Sequence, residues 1–348
     1  MTLGSISDVH SFQNKKVLVR IDSDVDIKNN VILDDSRLLS SLETIKYIIN
    51  HGGVALLIGH SGRPDGKVNP EYTLEIVANW YAKHLGGKVK EETLDEFPCW
   101  QINDSLLLLE NVRFYKGEEE NDETFAKKIA SLGDIFVNEA FAVSHRAHAT
   151  TVGIAKLLPS YAGFHLQKEV QTLENVMKNP KRPLAVLIGG AKIETKLPMV
   201  EKMHHIADYV LVGGKIAEET KTLIKVQHEK IVGQKSAVLV ADNTPNGEDI
   251  TEKDAENFIQ ILALAKTIVW NGPVGKMGNP KTEENTLEIA RAIAESDAYT
   301  IVGGGDSITL LKEHNMLGSF SFISTGGGAM LEFLSGKNLP GISVLERT

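Results

Sequence analysis

Short runs of apolar residues recur along this chain and alternate with stretches of helical periodicity. Four runs in the first half, at residues 17–19, 56–58, 106–109 and 135–137, lead to Arg20, Arg63, Arg113 and Arg146. Five runs in the second half, at residues 186–188, 210–212, 268–270, 301–302 and 322–325, lead to glycine. The alternation predicts parallel strands, whose carboxyl ends form ligand sites.

The two kinds of strand end favour two kinds of ligand. Arginine side chains suit a small polyanion, because a guanidinium binds phosphate and carboxylate through two hydrogen bonds. Glycine-rich ends expose backbone amides, which suit the phosphates of a nucleotide. The pattern therefore predicts an enzyme that brings two phosphorylated molecules together.

Helical periodicity fills the intervals between the runs. It predicts helices over residues 38–50, 74–85 and 122–131, the last beginning at Asp122. Residues 164–178 carry one apolar face and end before Pro180. We interpret this last helix as the connector between two domains, since 348 residues is long for a single core.

Composition narrows the class of protein. A net charge of −9 argues against general affinity for nucleic acid or anionic membranes. No apolar run approaches the ~18 residues of a membrane span, and the N-terminus lacks the apolar core of a signal peptide. The single Cys99 excludes an internal disulfide and is interpreted as a buried, inert thiol. We expect a cytoplasmic protein.

Several common phosphate and catalytic motifs are missing. The chain has no Walker A loop, no glycine fingerprint of a dinucleotide fold and no zinc-protease motif. Residues 59–62 begin like a nucleophile elbow, but Arg63 stands at the last position. The acidic run Glu118, Glu119 and Glu120 is expected to form a solvated face.

The remaining signals match one family in order, from about residue 15 to residue 345. These motifs are VLVRID at 17–22, DDSR at 34–37, GHSGRP at 59–64, ENVRF at 110–114, GEE at 117–119, NEAF at 138–141, HRAHA at 145–149, GGAK at 189–192, WNGP at 270–273, GGGDS at 303–307 and STGGGA at 324–329. The chain resembles the phosphoglycerate kinases. One glycine cluster would be weak support, whereas the ordered series is strong.

The resemblance implies an α/β protein of two Rossmann-like domains with parallel sheets, joined by a hinge helix. Residues 1–163 would form the acid-substrate domain, 164–180 the interdomain helix, and 181–325 the nucleotide domain. Residues 326–348 would form a tail returning to the N-terminal domain. The halves would have to approach for transfer, which excludes the water that hydrolyses an acyl phosphate.

The reaction implied is reversible phosphoryl transfer between ATP, with Mg²⁺, and the carboxylate of 3-phosphoglycerate, catalysed by a monomer. The acid would be bound by Asp22, Ser23, Asp24, Arg37, His60, Ser61, Gly62, Arg63, Arg113 and Arg146. The nucleotide would be bound by Gly190, Ala191, Lys192, Lys196, Gly214, Asn271, Pro273, Gly304, Gly305, Asp306 and Ser307. The catalytic set would be Arg37, Lys196, Gly304 and Gly327, and Asp306 would hold the Mg²⁺.

These residue types agree with that chemistry. The acceptor carboxylate is already a nucleophile and needs no general base, so catalysis reduces to positioning and charge neutralisation. Lys196 and Arg37 can meet the charge of the migrating phosphoryl group. Mg²⁺ prefers one or two carboxylates together with phosphate oxygens.

The chain departs from the family pattern in both halves. Asp24 stands where asparagine is usual, and an unpaired carboxylate at 4 Å from an anionic ligand costs on the order of 4 kcal/mol at an effective dielectric of 20. Glu139 replaces an aspartate. In the nucleotide half, Lys215 replaces a glycine, and Gly278 stands where a glutamate holds the ribose. The stretch before Trp270 is shortened, so base-side loops are expected to be lost.

Three hypotheses follow. The first is an active but divergent phosphoglycerate kinase. The second is a related phosphotransferase with another acid or nucleotide, and the third is a non-catalytic phospho-ligand-binding relative. Retention of Arg37, Lys196 and Asp306 together argues against the third, because a decayed enzyme has no physical reason to keep all three.

Overall fold

The computed structural model describes residues 2–228 and 236–347. The chain divides into two compact units. Unit 1 comprises Met1–Val170 and Asn338–Thr348, and unit 2 comprises Gln171–Lys337. Each unit has its own sheet and its own apolar core, as a chain of this length requires.

A seven-stranded sheet forms the centre of unit 1, in the order β5-β6-β7-β4-β1-β8-β9. The strands β4, β1, β8 and β9 are parallel, as is the β4–β7 pair, which confirms the predicted α/β class. The strands of this unit are β1 (Lys16–Arg20), β2 (Ile27–Lys28), β3 (Val31–Ile32), β4 (Val54–Ile58), β5 (Lys90–Leu94), β6 (Phe97–Asn103), β7 (Leu106–Leu109), β8 (Ile135–Asn138) and β9 (Ser160–Ala162).

The sheet of unit 1, which is mainly parallel, is antiparallel at one edge. Strand β6 is antiparallel to both β5 and β7, and β2 with β3 forms a separate hairpin. Only Asp95 and Glu96 separate β5 from β6, and Asp95 has a positive φ of 53°. So short a connection permits only an antiparallel hairpin, since parallel strands need a long crossover.

Helices flank the unit 1 sheet where helical periodicity predicted them. The segment 38–50 is divided at Ser41, whose hydroxyl donates to the Leu38 carbonyl at 2.7 Å. Asp122 caps the helix predicted at residues 122–131, where its side chain accepts a hydrogen bond from the amide of Phe125 at 2.7 Å, as predicted. The helices are α1 (Ser36–Ser40), α2 (Leu42–Asn50), α3 (Glu75–Leu85), α4 (Lys116–Glu119) and α5 (Glu123–Ala130).

The long helix α6 (Phe164–Lys178) has the bounds that the sequence predicted. The buried Glu139 accepts hydrogen bonds from the first-turn amides of His165 and Leu166, both at 3.1 Å. A carboxylate suits this position, because the helix N-terminus carries a partial positive charge. The boundary between the two units falls after Val170, within this helix.

Unit 2 contains a fully parallel six-stranded sheet in the order β12-β11-β10-β13-β14-β15. Its strands are β10 (Leu184–Ile188), β11 (Tyr209–Val212), β12 (Ala237–Val240), β13 (Thr267–Asn271), β14 (Tyr299–Gly303) and β15 (Phe322–Ile323). Its helices are α7 (Ile193–His204), α8 (Ala217–His228), α9 (Glu252–Leu262), α10 (Pro280–Ala294), α11 (Gly305–Glu313) and α12 (Gly327–Leu334).

The C-terminal residues pack on unit 1 through α13 (Pro340–Ser343). Gly341 donates its amide to the Ser144 carbonyl at 2.9 Å and accepts from the Asn138 side chain at 3.0 Å. Helix α12, by contrast, belongs to unit 2, so the chain passes to unit 1 after Lys337. None of the described helices is long and apolar enough to span a membrane.

Candidate active site

A cavity of about 130 Å³ opens in unit 1 beyond the carboxyl ends of the central strands. Four arginines and two aspartates dominate its wall, so positive charge is in excess. Its lining residues are Asp22, Asp24, Arg37, His60, Arg63, Arg113, Ala142, Val143, His145 and Arg146. Seven of these were predicted from the sequence to bind the acid.

Asp22 is the most buried carboxylate of this cavity, with 3% of its surface exposed. Neither of its side-chain oxygens has a described hydrogen-bond donor, and its partner is Arg37, whose Nε lies 3.4 Å from Oδ2. Burial raises the pKa of Asp22, and the charge of Arg37 opposes that rise. Asp22 therefore offers acceptor oxygens to a hydroxyl group of a bound ligand.

The loop after β4 shapes the cavity through its glycines. A side chain at Gly59 would collide with the Ser23 hydroxyl, which donates to the His60 carbonyl at 2.8 Å. Gly62 has a positive φ of 62° and would meet the Tyr72 ring if it carried a Cβ. Ser23, Ser61 and Gly62, also predicted to bind the acid, thus lie outside the cavity lining.

Asp24, the departure from the family pattern, is a paired carboxylate. Its Oδ1 accepts from the amide of Gly62 at 2.8 Å, and its Oδ2 lies 3.8 Å from Nε2 of His60. Its backbone carbonyl accepts from Arg37 at 2.7 Å. The repulsion computed for an unpaired carboxylate is therefore partly offset.

Arg113 keeps donors available although it is 3% exposed. One terminal nitrogen donates to the Gly62 carbonyl at 2.8 Å, while Nε lies 3.2 Å from Glu119. The other terminal nitrogen has no described partner. A buried guanidinium with a spare donor is suited to an anionic ligand.

His145 lines the cavity but is absent from the predicted set. It lies next to Arg146, whose Nε is 3.3 Å from its Nε2. The motif at 145–149 indicated a functional segment, but it left open whether its histidines were ligands or structural groups. The structure places His145 in the cavity lining, a position that the sequence alone could not distinguish from that of a structural histidine.

The acidic run at 118–120 contradicts the expectation of a solvated face at its first residue. Glu118 is fully buried and accepts from the hydroxyl of Thr150 at 2.7 Å and from its amide at 3.0 Å. Burial raises its pKa, but the nearby His148, the charge of Arg20 and the Thr150 hydroxyl outweigh burial, and the pKa of Glu118 is lowered.

In unit 2, Lys196 is the buried cation beside the carboxyl ends of the parallel strands. It lies in the first turns of α7, is 7% exposed, and donates to the Gly189 carbonyl and, at 3.2 Å, to the Asn271 carbonyl. Burial lowers its pKa to about 8, the charge of Asp306 opposes the fall, and Lys192 adds to it. The ammonium is therefore held at the carboxyl ends of β10 and β13.

Glycines make room for this lysine. Gly190 and Gly272 both have positive φ, of 95° and 92°. A Cβ at Gly190 would stand 2.7 Å from Nζ of Lys196, and one at Gly272 would collide with the same atom. Gly214, with φ of 73°, packs against the backbone of Gly190 in the same way.

Two helix N-termini converge next to this lysine. Gly304 precedes α11, Gly327 begins α12, and a Cβ on Gly327 would lie 2.7 Å from Cα of Gly304. Gly305 and Asp306 are exposed in the first turn of α11. The pair of N-termini points unpaired amides and partial positive charge to one place, which suits a phosphate.

The other predicted nucleotide residues divide by exposure. Ala191 and Lys192 are exposed before α7. Asn271, Pro273 and Ser307 are buried, and the hydroxyl of Ser307 accepts from the amide of Gly272 at 3.1 Å. Ser307 therefore fixes the Gly272 turn in this structure.

The side where a nucleotide base is expected carries ion pairs. Lys276 lies 2.8 Å from Glu248, and Lys221 lies 2.7 Å from Asp242. Lys215 is exposed on the turn Gly214–Ile216. Part of the shortened stretch before Trp270, residues 229–235, lies outside the described residues, so the expected loss of base-side loops stays a prediction.

Comparison with known proteins identifies the family to which this chain belongs. The family model described as phosphoglycerate kinase matches residues 6–237 and 220–337. This chain belongs to the phosphoglycerate kinase family. The phosphoglycerate kinases of Borreliella burgdorferi and Finegoldia magna are 37% and 36% identical to it, covering 99% and 96% of the chain and 100% and 97% of their own lengths.

Solved structures agree with the family assignment. The structure of phosphoglycerate kinase from Coxiella burnetii matches with a TM-score of 0.82 at 32% identity, covering 99% of both chains. That of Pyrococcus horikoshii OT3 matches with a TM-score of 0.80 at 28% identity, covering 99% of this chain and 98% of the other. The predicted family and fold are confirmed.

Proposed function

We propose that this chain catalyses reversible phosphoryl transfer between MgATP and the carboxylate of 3-phosphoglycerate, as a kinase of glycolysis. The observation that carries the proposal is the small cavity of unit 1, in which four arginines surround a buried Asp22. A compact acid with one phosphate, one carboxylate and one hydroxyl matches those groups. The arginines bind its anionic ends, and Asp22 accepts from its hydroxyl.

Lys196 and the paired helix N-termini supply the phosphate side. The phosphoryl group carries negative charge on its equatorial oxygens during transfer, and a fixed cation with fixed amides stabilises that charge without reorganisation. The substrate carboxylate is itself the nucleophile, so no residue has to remove a proton. Arg37, Lys196, Gly304 and Gly327 are the residues that we assign to catalysis.

The residues fit the use of Mg²⁺. Asp306 is an exposed carboxylate in the first turn of α11, close enough to Lys196 to act on its pKa. Among the described residues no cluster of three or more acidic, histidine or cysteine side chains could hold a metal alone. One carboxylate suits Mg²⁺, which takes its other ligands from phosphates and water and neutralises their charge.

A coupled assay tests the proposal. With MgATP, 3-phosphoglycerate should be turned over, and glycerate, which lacks the phosphate, should not be. Turnover of a different phosphorylated acid with none of 3-phosphoglycerate would favour the second hypothesis, a related phosphotransferase. Absence of turnover with every acid, despite nucleotide binding, would favour a binding relative.

Nucleotide choice should be loose. ATP and GTP share the phosphates that face Lys196 and Asp306, and the base side carries exposed ion pairs. We expect weak binding, with MgADP and MgGDP differing by less than about tenfold, or about 1.4 kcal/mol. Titration calorimetry measures both, and a tight, adenine-selective site would show that other residues have rebuilt a base pocket.

A further inference from the structure

Arg20 is a buried cation beneath the acid cavity that does not line it. It is the last residue of β1, is fully buried, and has all its described contacts inside unit 1. Its Nε donates to the hydroxyl of Thr150 at 2.9 Å, and one terminal nitrogen donates to the Ile21 carbonyl. The other terminal nitrogen lies 2.9 Å from Nδ1 of His60.

This last contact determines where His60 carries its proton. A guanidinium can only donate, so Nδ1 of His60 has to accept, and the ring proton sits on Nε2. A charged imidazolium would present N–H to N–H at 2.9 Å and is excluded for the same reason. Burial lowers the pKa of His60 well below its usual value, and Arg20, Arg113, His148 and Arg146 lower it further.

The protonated nitrogen faces the cavity. His60 lines the cavity, and its Nε2 is 3.8 Å from Oδ2 of Asp24, the carboxylate on that side. That distance is longer than a hydrogen bond, so the N–H remains available to an oxygen that comes closer. The other Asp24 oxygen is already held by Gly62 at 2.8 Å.

Arg20 is itself fixed by a buried carboxylate. The Thr150 hydroxyl that accepts from Arg20 donates in turn to Glu118 at 2.7 Å. His148 approaches the same carboxylate at 3.6 Å. Glu118 thus compensates the buried guanidinium through Thr150, and the chain of contacts from Glu118 through Thr150 and Arg20 meets the cavity at His60.

We propose that Arg20 is a positioning residue that locks His60 as a neutral Nε2–H donor to an oxygen of the acid substrate. This assignment rests on the proposed function, because it takes the cavity as the acid site. The substrate then receives a third type of contact, a neutral donor, besides the arginines and Asp22.

Nitrogen NMR of the unmodified protein tests the lock directly. Long-range ¹H–¹⁵N correlations should show His60 as the Nε2–H tautomer at pH 7 and still neutral at pH 6, with its signal identified by its loss in His60→Gln. An Nδ1–H tautomer or an imidazolium at pH 6 would overturn the proposal. The spectrum does not depend on turnover, so failure of the proposed function would leave this result readable.

Two substitutions of His60 separate the ring nitrogens. The amide nitrogen of glutamine falls near the place of Nε2, whereas that of asparagine reaches only the place of Nδ1. His60→Asn should raise KM for 3-phosphoglycerate about tenfold with a smaller change in kcat, as expected for one lost hydrogen bond to a charged group. His60→Gln should raise KM less. Equal increases would contradict the donor role of Nε2.

Arg20→Met tests whether the guanidinium determines the tautomer of His60. We expect His60 to become a mixture of tautomers and KM to rise more than kcat falls. Because this change leaves Glu118 buried beside an apolar side chain, Arg20→Met/Glu118→Gln provides a second variant with no uncompensated charge. A pure Nε2–H signal in a folded variant would show that Arg20 does not set the tautomer.

Discussion

The two units present different groups to an anionic ligand. Unit 1 uses charged side chains, with four arginines around a cavity of about 130 Å³. Unit 2 uses backbone, with two helix N-termini meeting at Gly304 and Gly327 and one buried cation, Lys196. A side-chain site can be changed one charge at a time, whereas a backbone site depends on the absence of a Cβ.

The difference predicts what each site tolerates. Substitutions in unit 1 should change affinity for the acid in proportion to the charge and hydrogen bonds they alter. Substitutions in unit 2 should act through shape, and a single methyl group at the right glycine should be enough. The predictions below contrast the two.

The largest effect is expected at the cations assigned to catalysis. Lys196→Ala and Arg37→Ala should each lower kcat about 100-fold or more, because each removes a positive charge to which we assign the stabilisation of the migrating phosphoryl group. Steady-state kinetics measures the loss, and circular dichroism checks the fold. Lys202→Ala, an exposed lysine later in α7, serves as the control and should keep normal turnover. Near-normal kcat in both active-site variants would remove them from catalysis.

The next largest effect is expected from adding a methyl group at Gly327. The added Cβ of Gly327→Ala would lie 2.7 Å from Cα of Gly304, so the two helix N-termini have to separate. We expect KM for the nucleotide to rise about tenfold and the free energy of unfolding to fall by about 1–3 kcal/mol, as is typical of overpacking. The acid site should be unaffected.

Gly328→Ala is the matched control, because a Cβ at that neighbouring position meets nothing within 4 Å. Its KM values and unfolding midpoint should stay close to those of the unmodified protein. Equal damage in the two variants would mean that the first turn of α12 as a whole, and not the approach to Gly304, is what matters.

The sequence predicted unit 2 better than the edge of unit 1. Apolar runs identified five of its six parallel strands, because both faces of the sheet are buried, and missed only the edge strand β12 (Ala237–Val240). Strand β5 was missed, because Lys90, Glu91 and Glu92 are exposed and polar at a sheet edge, where no apolar pattern is required. An edge strand of this kind is specified by its turn and its partner, not by its own residues.

The candidate site shows the same limit. Motifs found the arginines, since their chemistry is visible in the residue type. They did not show that Glu118 bonds to Thr150 or that Arg20 contacts His60, because these contacts join residues 32 and 40 positions apart in the chain. Long-range contacts between polar residues leave no periodic signal in a single sequence.

A moderate effect is expected at Asp24. Asp24→Asn removes a negative charge from the acid cavity while the amide oxygen can still accept from Gly62. KM for 3-phosphoglycerate should fall about two- to tenfold, and the gain should shrink at high salt as the charges are screened. Kinetics at two ionic strengths measures both. A higher KM would show that the carboxylate itself contacts the substrate, or that the true acid differs.

The smallest expected effect is the uptake of a fraction of a proton by Lys196 when a nucleotide binds. With a pKa of about 8, part of the free enzyme is neutral at pH 8, and phosphates brought near the ammonium should raise that pKa. Binding of MgADP should therefore take up to about half a proton per site at pH 8 and almost none at pH 6.5. Calorimetry in two buffers of different ionisation enthalpy measures the uptake.

The lowered pKa of Lys196 also determines whether its contribution to the free energy of unfolding rises or falls with pH. The unfolded chain holds this proton up to its ordinary pKa of 10.5, and the folded chain releases it near pH 8. Between these values the unfolded state binds more protons, so the contribution of Lys196 to stability increases with pH there and is constant below. Lys196→Met should abolish both the proton uptake and this slope. Uptake that persists in the variant would assign the proton to a group other than Lys196.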